Sequence, residues 1–480
     1  MSFNFNSVNP LDFTTVLRER EVQCTLTSVP QGMRGVAIHP VTRCLLSCLL
    51  LSLLLVSVTV AQVPRPAPQL PENRLPQLVL NPVSFGADPT GAADSAPAFE
   101  KLMVEAGTNR QIRILIPPGR FRLTKRVVLA ASGNASNYGM RVEGAGEDVT
   151  ELLVDNAEGG ILFKGEHISR MTFSIAGLSF VAVRPDSGTA LKFEIPNPGD
   201  QHARQFNAEN LLIRGERFDN GSFSNGVIVR NAWYPRLVNV KVTSRYGGDS
   251  LTAQELLQHR SQLKHAFVLE DCYSPLIDSC YVWGGDYGLV QRAVHGGPED
   301  GIVAKSYFVG NIVGITLDII RQAKYWAEPG FHIDNCHVAF RDSGILVRGV
   351  RQMNISHCLF YCSDRSGAAF DRPKNGPARD FEPADIDIVH GSDMIIKGNI
   401  FTEPANPRRV AVRVSKDSGF VLITANQFNI EGTAIRNQSQ KPSFSADNMF
   451  GGSPDWSADI TPYKDETGTL QTRDFQKPTK

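Results

Sequence analysis

The sequence predicts an all-β solenoid, one elongated domain of very short strands stacked coil on coil. Three observations predict it. First, a six-residue phrase recurs: IDNCHV (Ile333 to Val338) returns as ISHCLF (Ile355 to Phe360), with apolar residues at the first, fourth and sixth places. Its other copies are IAGLSF (175–180), AENLLI (208–213), LVNVKV (237–242), IDSCYV (277–282), VAKSYF (303–308), IKGNIF (396–401), ITANQF (423–428) and SADNMF (445–450). Most spacings are 22 to 33 residues, the span of one solenoid turn, with two longer gaps that carry loops. Second, a further short strand follows each phrase and usually opens with Gly: GTALKF, GVIVR, AFVLE, GLVQR, GITLD, GILVR, GAAFD, VAVRV and GTAIR. Third, Gly is frequent (41 of 480 residues) while no coil holds a helix-length apolar pattern, so turns and short strands dominate. An apolar stripe this small cannot bury itself and needs an equivalent strand above and below.

The bulk numbers agree. With 42% hydrophobic and 20% charged residues a large core is available, and a formal charge of zero points away from nucleic acid as a partner. CLLSCLLLSLLLVSVTVA (Cys44 to Ala61) is an apolar run behind Arg34 and Arg43. It reads as a secretory signal over 33–61, starting at Met33, with 1–32 an extension outside the native chain. Left uncleaved, the same run is a marginal membrane anchor. A Pro-rich linker follows over 62–78, the solenoid over 79–450 and an Asp/Thr/Pro-rich tail over 451–480. The expected location is secreted, periplasmic or cell-surface. Five cysteines follow the signal, with no CxxC pair, which argues against a disulfide framework and against zinc. Cys280, Cys336 and Cys358 share the fourth place of the phrase and are expected in an interior ladder.

The domain opens with strand, turn and helix. Asp94 or Ser95 is expected to cap the helix, Phe99, Leu102 and Met103 to form its apolar face, and Gly107 to end it. FGADPTGAADSAPAF (85–99), IPPGRFRL (116–123) and VEGAGEDVTEL (142–152) together carry a resemblance. They are similar to the opening of the pectate-lyase-like superfamily, with its rhamnogalacturonase- and epimerase-like domains. Thr90-Gly91 stands where that family has an acidic residue before Gly. The resemblance implies a right-handed, single-stranded parallel β-helix with three short strands per coil and an N-terminal capping helix. It also implies an acidic polysaccharide as substrate, with hydrolase, lyase and epimerase chemistry all known on this fold.

Function has to be sought among outward residues that stacking does not require. The position after the second strand is Arg230, Glu270, Asp318, Arg348, Asp371 and Arg436 on different coils. Asp318 and Asp371 would then lie about 9 to 10 Å apart with Arg348 between them, since coils repeat at about 4.8 Å. That separation suits an inverting glycosidase, one carboxyl acting as general acid and the other activating water. A surface salt-bridge ladder explains the same column without chemistry. Asp278 and Asp334, at the second place of the phrase, form another column and serve equally as bend residues. Tyr325, Trp326 and Trp283 lie on loops that could wall a groove; sugar stacking and capping of a coil edge both account for them. The sequence thus predicts hydrolysis of an acidic polysaccharide by Asp318 and Asp371, with Arg348, Tyr325, Trp326 and Trp283 binding substrate. No cofactor is expected, except calcium were the protein a lyase. The alternatives are a lyase or epimerase, or a non-catalytic module binding glycan or protein.

Overall fold

The computed structural model describes residues 77–131, 138–165, 170–195, 204–216, 221–243, 263–320, 329–362, 382–402, 408–451 and the backbone of 470–473. The expected extension, signal and nearly all of the linker and tail therefore lie outside the described residues. Every strand pairing among the described residues is parallel, and the chain is a right-handed parallel β-helix.

The helix Ala96–Ala106 buries Phe99, Leu102 and Ala106 at the N-terminal end. Its cap is Asp94: the carboxylate accepts the Ala96 N–H at 3.0 Å and the Thr124 hydroxyl at 2.6 Å. The Ser95 hydroxyl faces back instead and accepts the Asp88 N–H at 3.0 Å. Asp88 accepts the Ala93 and Thr90 N–H groups (2.7 and 2.9 Å), which lower its carboxyl to about 2. The Thr90-Gly91 turn is thus organised by Asp88.

The six-residue phrase is a corner. Its third residue is left-handed in every copy, with φ from 50° at Lys305 to 67° at Gly398. Places one and two lie on one sheet and places five and six on the next. The bend is inside the phrase. Lys305 and Ala425 take this conformation at a cost of about 1–2 kcal/mol each, which the stacking on either side must offset. Place four is buried at the inner side of the corner. It carries Cys280, Cys336 and Cys358, then Asn399, Asn426 and Asn448. The cysteines are free, and burial pushes the Cys280 thiol up to about 12. The asparagines form a ladder, Nδ2 of each donating to Oδ1 of the next at 3.0 Å (Asn399 to Asn426, Asn426 to Asn448). Place six stacks Phe360, Phe401, Phe428 and Phe450 with ring centroids 5.0, 4.8 and 5.2 Å apart.

The third sheet holds the strands that open with Gly. A Cβ on Gly288 would stand 2.5 Å from the Gly314 carbonyl and 2.7 Å from the Phe308 ring, so this position leaves no room for a side chain. One copy departs from expectation. After Ser343–Arg348 the next strand is Ala384–Val389, not GAAFD, whose residues 367–370 and Asp371 lie outside the described residues. The Gly slot of that coil is filled by Asp385, fully buried, whose carboxylate takes a two-pronged grip from Arg409, also fully buried (Nε to Oδ2 2.8 Å). Arg409 also bonds the carbonyls of Thr402 and Phe360, which satisfies the guanidinium inside the core. At the other end, Leu470–Arg473 pairs in parallel with Ser443–Ala446 and so extends the first sheet.

Candidate functional site

On the outer face of the third sheet the register runs Lys164, Glu194, Arg230, Glu270, Arg292, Asp318, Arg348 and Val389. The charges alternate coil by coil. Arg230 pairs with Glu194 at 2.7 Å and with Glu270; Arg292 Nε donates to Glu270 Oε1 at 2.9 Å. Burial works against the Glu194 carboxylate, but Lys192 and Arg230 outweigh it and hold its pKa below the ordinary value. The ladder loosens at its end, where Arg348 stands 3.8 Å from Asp318 and both are nearly half exposed.

The structure thus brings together Asp318 and Arg348 of the expected site. The place assigned to Asp371 belongs to Val389, because the coil's strand begins at Ala384, beyond the insertion that contains Asp371. Asp371, Tyr325 and Trp326 lie outside the described residues. Around an Arg the register of this row gives two acid pairs two coils apart, Glu194 and Glu270 flanking Arg230 and Glu270 and Asp318 flanking Arg292, and the shared Glu270 is nearly buried and held by two guanidinium groups.

The opening residues of the same strands form a polar row. Asn225 Nδ2 donates to Thr189 Oγ1 at 3.3 Å, His265 Nδ1 donates to Asn225 Oδ1 at 2.9 Å, and the His265 ring lies parallel to Tyr287 at 5.3 Å. Burial, then Arg292 and Lys264, lower the His265 pKa; burial raises that of Asp286 beside it, against Arg341 and Lys264.

The second sheet carries a row the sequence reading missed: Lys241, Tyr281, Tyr307 and His337 in register on its outer face. Tyr281 and Tyr307 are 6.1 Å apart, Tyr307 and His337 6.0 Å, and Trp283 meets Tyr281 edge-on at 6.4 Å. Half of Tyr307 and 38% of Trp283 are exposed. The signal was present, since Tyr, Tyr and His occupy place five of three consecutive phrases (IDSCYV, VAKSYF, IDNCHV). Around the corner, Asp278 and Asp334 are two coils apart as expected, with Ala304 between. Asp334 accepts from His357 (2.9 Å) and Ser356 (2.7 Å), which lower its pKa in that order and tie it to the bend of the next coil. Among the described residues no cluster of three His, Cys, Asp or Glu is placed to hold a metal ion.

No family model matches the chain, and no curated protein matches it. Solved structures do. The N-terminal fragment of bacteriophage phi29 gene product 12 is similar at 10% identity and a TM-score of 0.50, over 77% of this chain and 66% of that one. The Azotobacter vinelandii mannuronan C-5 epimerase AlgE4 A-module gives 13% identity and a TM-score of 0.48, over 83% and 97%. The Streptococcus pneumoniae surface adhesin PfbA gives 13% and 0.44, over 78% and 86%. At these identities the likeness concerns the fold alone.

Proposed function

We propose that this chain is an exported, pectate-lyase-like β-helix protein that binds a polysaccharide along its outer surface. The observation that carries the reading is the exposed row of Tyr281, Tyr307 and His337 with Trp283 beside it. A pyranose presents an apolar C–H face and a hydroxylated rim, and a half-exposed aromatic row with a neighbouring imidazole offers both kinds of contact. Stacking of coils does not require aromatics there, since the later coils carry Leu359, Ile400 and Gln427 in the same row.

The test is calorimetric titration of the purified chain with pectic, alginate and sulfated oligosaccharides. Tyr307→Ala and Trp283→Ala are each expected to weaken the best ligand about tenfold, the size of one aromatic contact. Saturable binding that neither substitution changes, or no binding to any glycan, overturns the reading.

A second reading, hydrolysis, is favoured by the loose, half-exposed end of the charge ladder at Asp318. In it Asp318 and Asp371 are the carboxyl pair, Arg348 binds a uronate, and Tyr325 and Trp326 complete the groove. New reducing ends lost in both Asp318→Asn and Asp371→Asn support it. An unsaturated product absorbing in the ultraviolet, dependent on added calcium, marks a lyase instead.

A further inference from the structure

The N-terminal coils carry a cleft of about 290 Å³, far from the aromatic row in sequence and lined by Gln111, Tyr138, Arg170, Met171, Thr172 and Gln205. Its outer rim is one register row, Gln111, Gly139, Thr172 and Gln205. Glycine at 139 is what makes room: a Cβ there would come within 2.6 Å of Gln111 Oε1, so the amide lies over the bare backbone. Arg170 stands exposed at the cleft with no carboxylate paired to it among the described residues.

The floor of the cleft is a second row, Tyr138 and Met171, and the next member of that row is Arg204. Arg204 is only 7% exposed, and its Nε and Nη1 are buried with no hydrogen-bond partner. Elsewhere on this solenoid a buried cation is matched, as Arg409 is by Asp385. Here burial acts on the guanidinium, lowering its pKa, and no acid among the described residues offsets it. An arginine keeps its proton under these conditions, so an unpartnered positive charge sits one coil along from Met171 of the cleft, in a low-dielectric interior where its field reaches furthest.

We infer that this cleft is a subsite for an anionic group of the bound glycan, a carboxylate or a sulfate ester, which Arg170 contacts directly and Arg204 attracts from the next coil. The amides of Gln111 and Gln205 and the Thr172 hydroxyl supply hydrogen bonds to neighbouring sugar hydroxyls. Arg204 is a positioning residue: its effect is charge, not contact. This inference rests on the glycan-binding reading above.

The experiment titrates the full chain with an oligogalacturonate, the same oligosaccharide with its carboxyls reduced to alcohols, and a sulfated oligosaccharide on a neutral backbone. Wild type is expected to prefer an anionic probe over the reduced one by about tenfold, the effect of one unit charge acting across roughly two coils at an intermediate dielectric. Arg170→Gln and Arg204→Met each remove the preference, and neither changes binding of the reduced probe. Which anionic probe is preferred identifies the group as carboxylate or sulfate. Because Arg170 is exposed, its variant reports even if Arg204→Met fails to fold. Equal affinity for charged and reduced probes, or a preference that survives Arg204→Met, overturns this inference and leaves the aromatic row standing. Absence of binding to every probe overturns both.

Discussion

Neutralising the acids of the charge ladder separates those that hold coils together from one that is free to act. Glu270 has a side chain only 7% exposed and accepts from both Arg230 and Arg292. Glu270→Gln leaves two guanidinium groups facing each other across one coil. Breaking a fully buried pair costs about 3–5 kcal/mol, and because Arg230 and Arg292 are 35% and 47% exposed, solvent reduces that to about 2–3 kcal/mol. Asp318 pairs with Arg348 at 3.8 Å with 42% and 46% exposed, so Asp318→Asn is expected to cost less than about 1 kcal/mol. Urea unfolding followed by far-ultraviolet circular dichroism reads the difference as a midpoint lowered by roughly 0.5–1 M in the Glu270 variant and almost unmoved in the Asp318 variant. Equal losses in the two variants, or a Glu270→Gln midpoint within error of wild type, would refute the reasoning. If Asp318→Asn keeps its midpoint yet abolishes release of reducing ends, the loss belongs to chemistry and not to folding.

Arg409→Met is expected to destabilise by about 3–5 kcal/mol at pH 8, since it strands the fully buried Asp385, whereas Asp385→Gly with Arg409→Met is expected to be near neutral. Burial already raises Asp385 to about 6 with Arg409 opposing, so without Arg409 the carboxyl rises further. A raised carboxyl contributes stability that is lost as pH climbs through its folded pKa, so the gap between wild type and Arg409→Met opens above about pH 6 and closes below it; melting temperatures from pH 4 to 8 test this. Asp88, lowered to about 2, contributes in the opposite sense: its stabilisation is present above the ordinary value of 3.8 and is lost as pH falls toward 2. Asp88→Asn should therefore lower the melting temperature at pH 6 and flatten its acid limb, and a variant that melts with the wild-type acid limb contradicts the role. The signal-peptide expectation is checked by N-terminal sequencing of exported protein, with Gln62 as the first residue.

The stacking rule was readable because places one, four and six of the phrase are nearly always apolar or small, and those are the places that face the core. The corner was not, because the left-handed residue at place three is Asn, Ser, Lys, His, Ala, Asp or Gly in different coils. What selects it is the geometry of two sheets meeting, and no single side-chain chemistry marks that. That Val389 is the register partner of Arg348, where the sequence suggested Asp371, has an equally physical origin. GAAFD carries the Gly signature, while the strand used, Ala384–Val389, places an acid in the slot where Gly is expected. Only Arg409, in the next coil, makes that acid tolerable, and a reading one coil at a time cannot find a compensation that lies between coils.

In a parallel solenoid every outward position is repeated about 4.8 Å away on the next coil. Two like charges side by side in one row therefore repel, and alternating them or leaving them out favours the stack. The row from Lys164 to Arg348 follows that alternation at each step, so its acids and bases are explained by stacking before any substrate is considered. Two places are not explained in that way. Stacking does not require the aromatic row of Tyr281 and Tyr307, and it is opposed by the cation at Arg204, which has no partner in its row. Residues that a repeat tolerates without needing, or keeps at a cost, are where a ligand has most to gain. This is why the binding assays are aimed at Tyr307, Trp283, Arg170 and Arg204, and why Asp318 is tested for activity only once its share of stability is known.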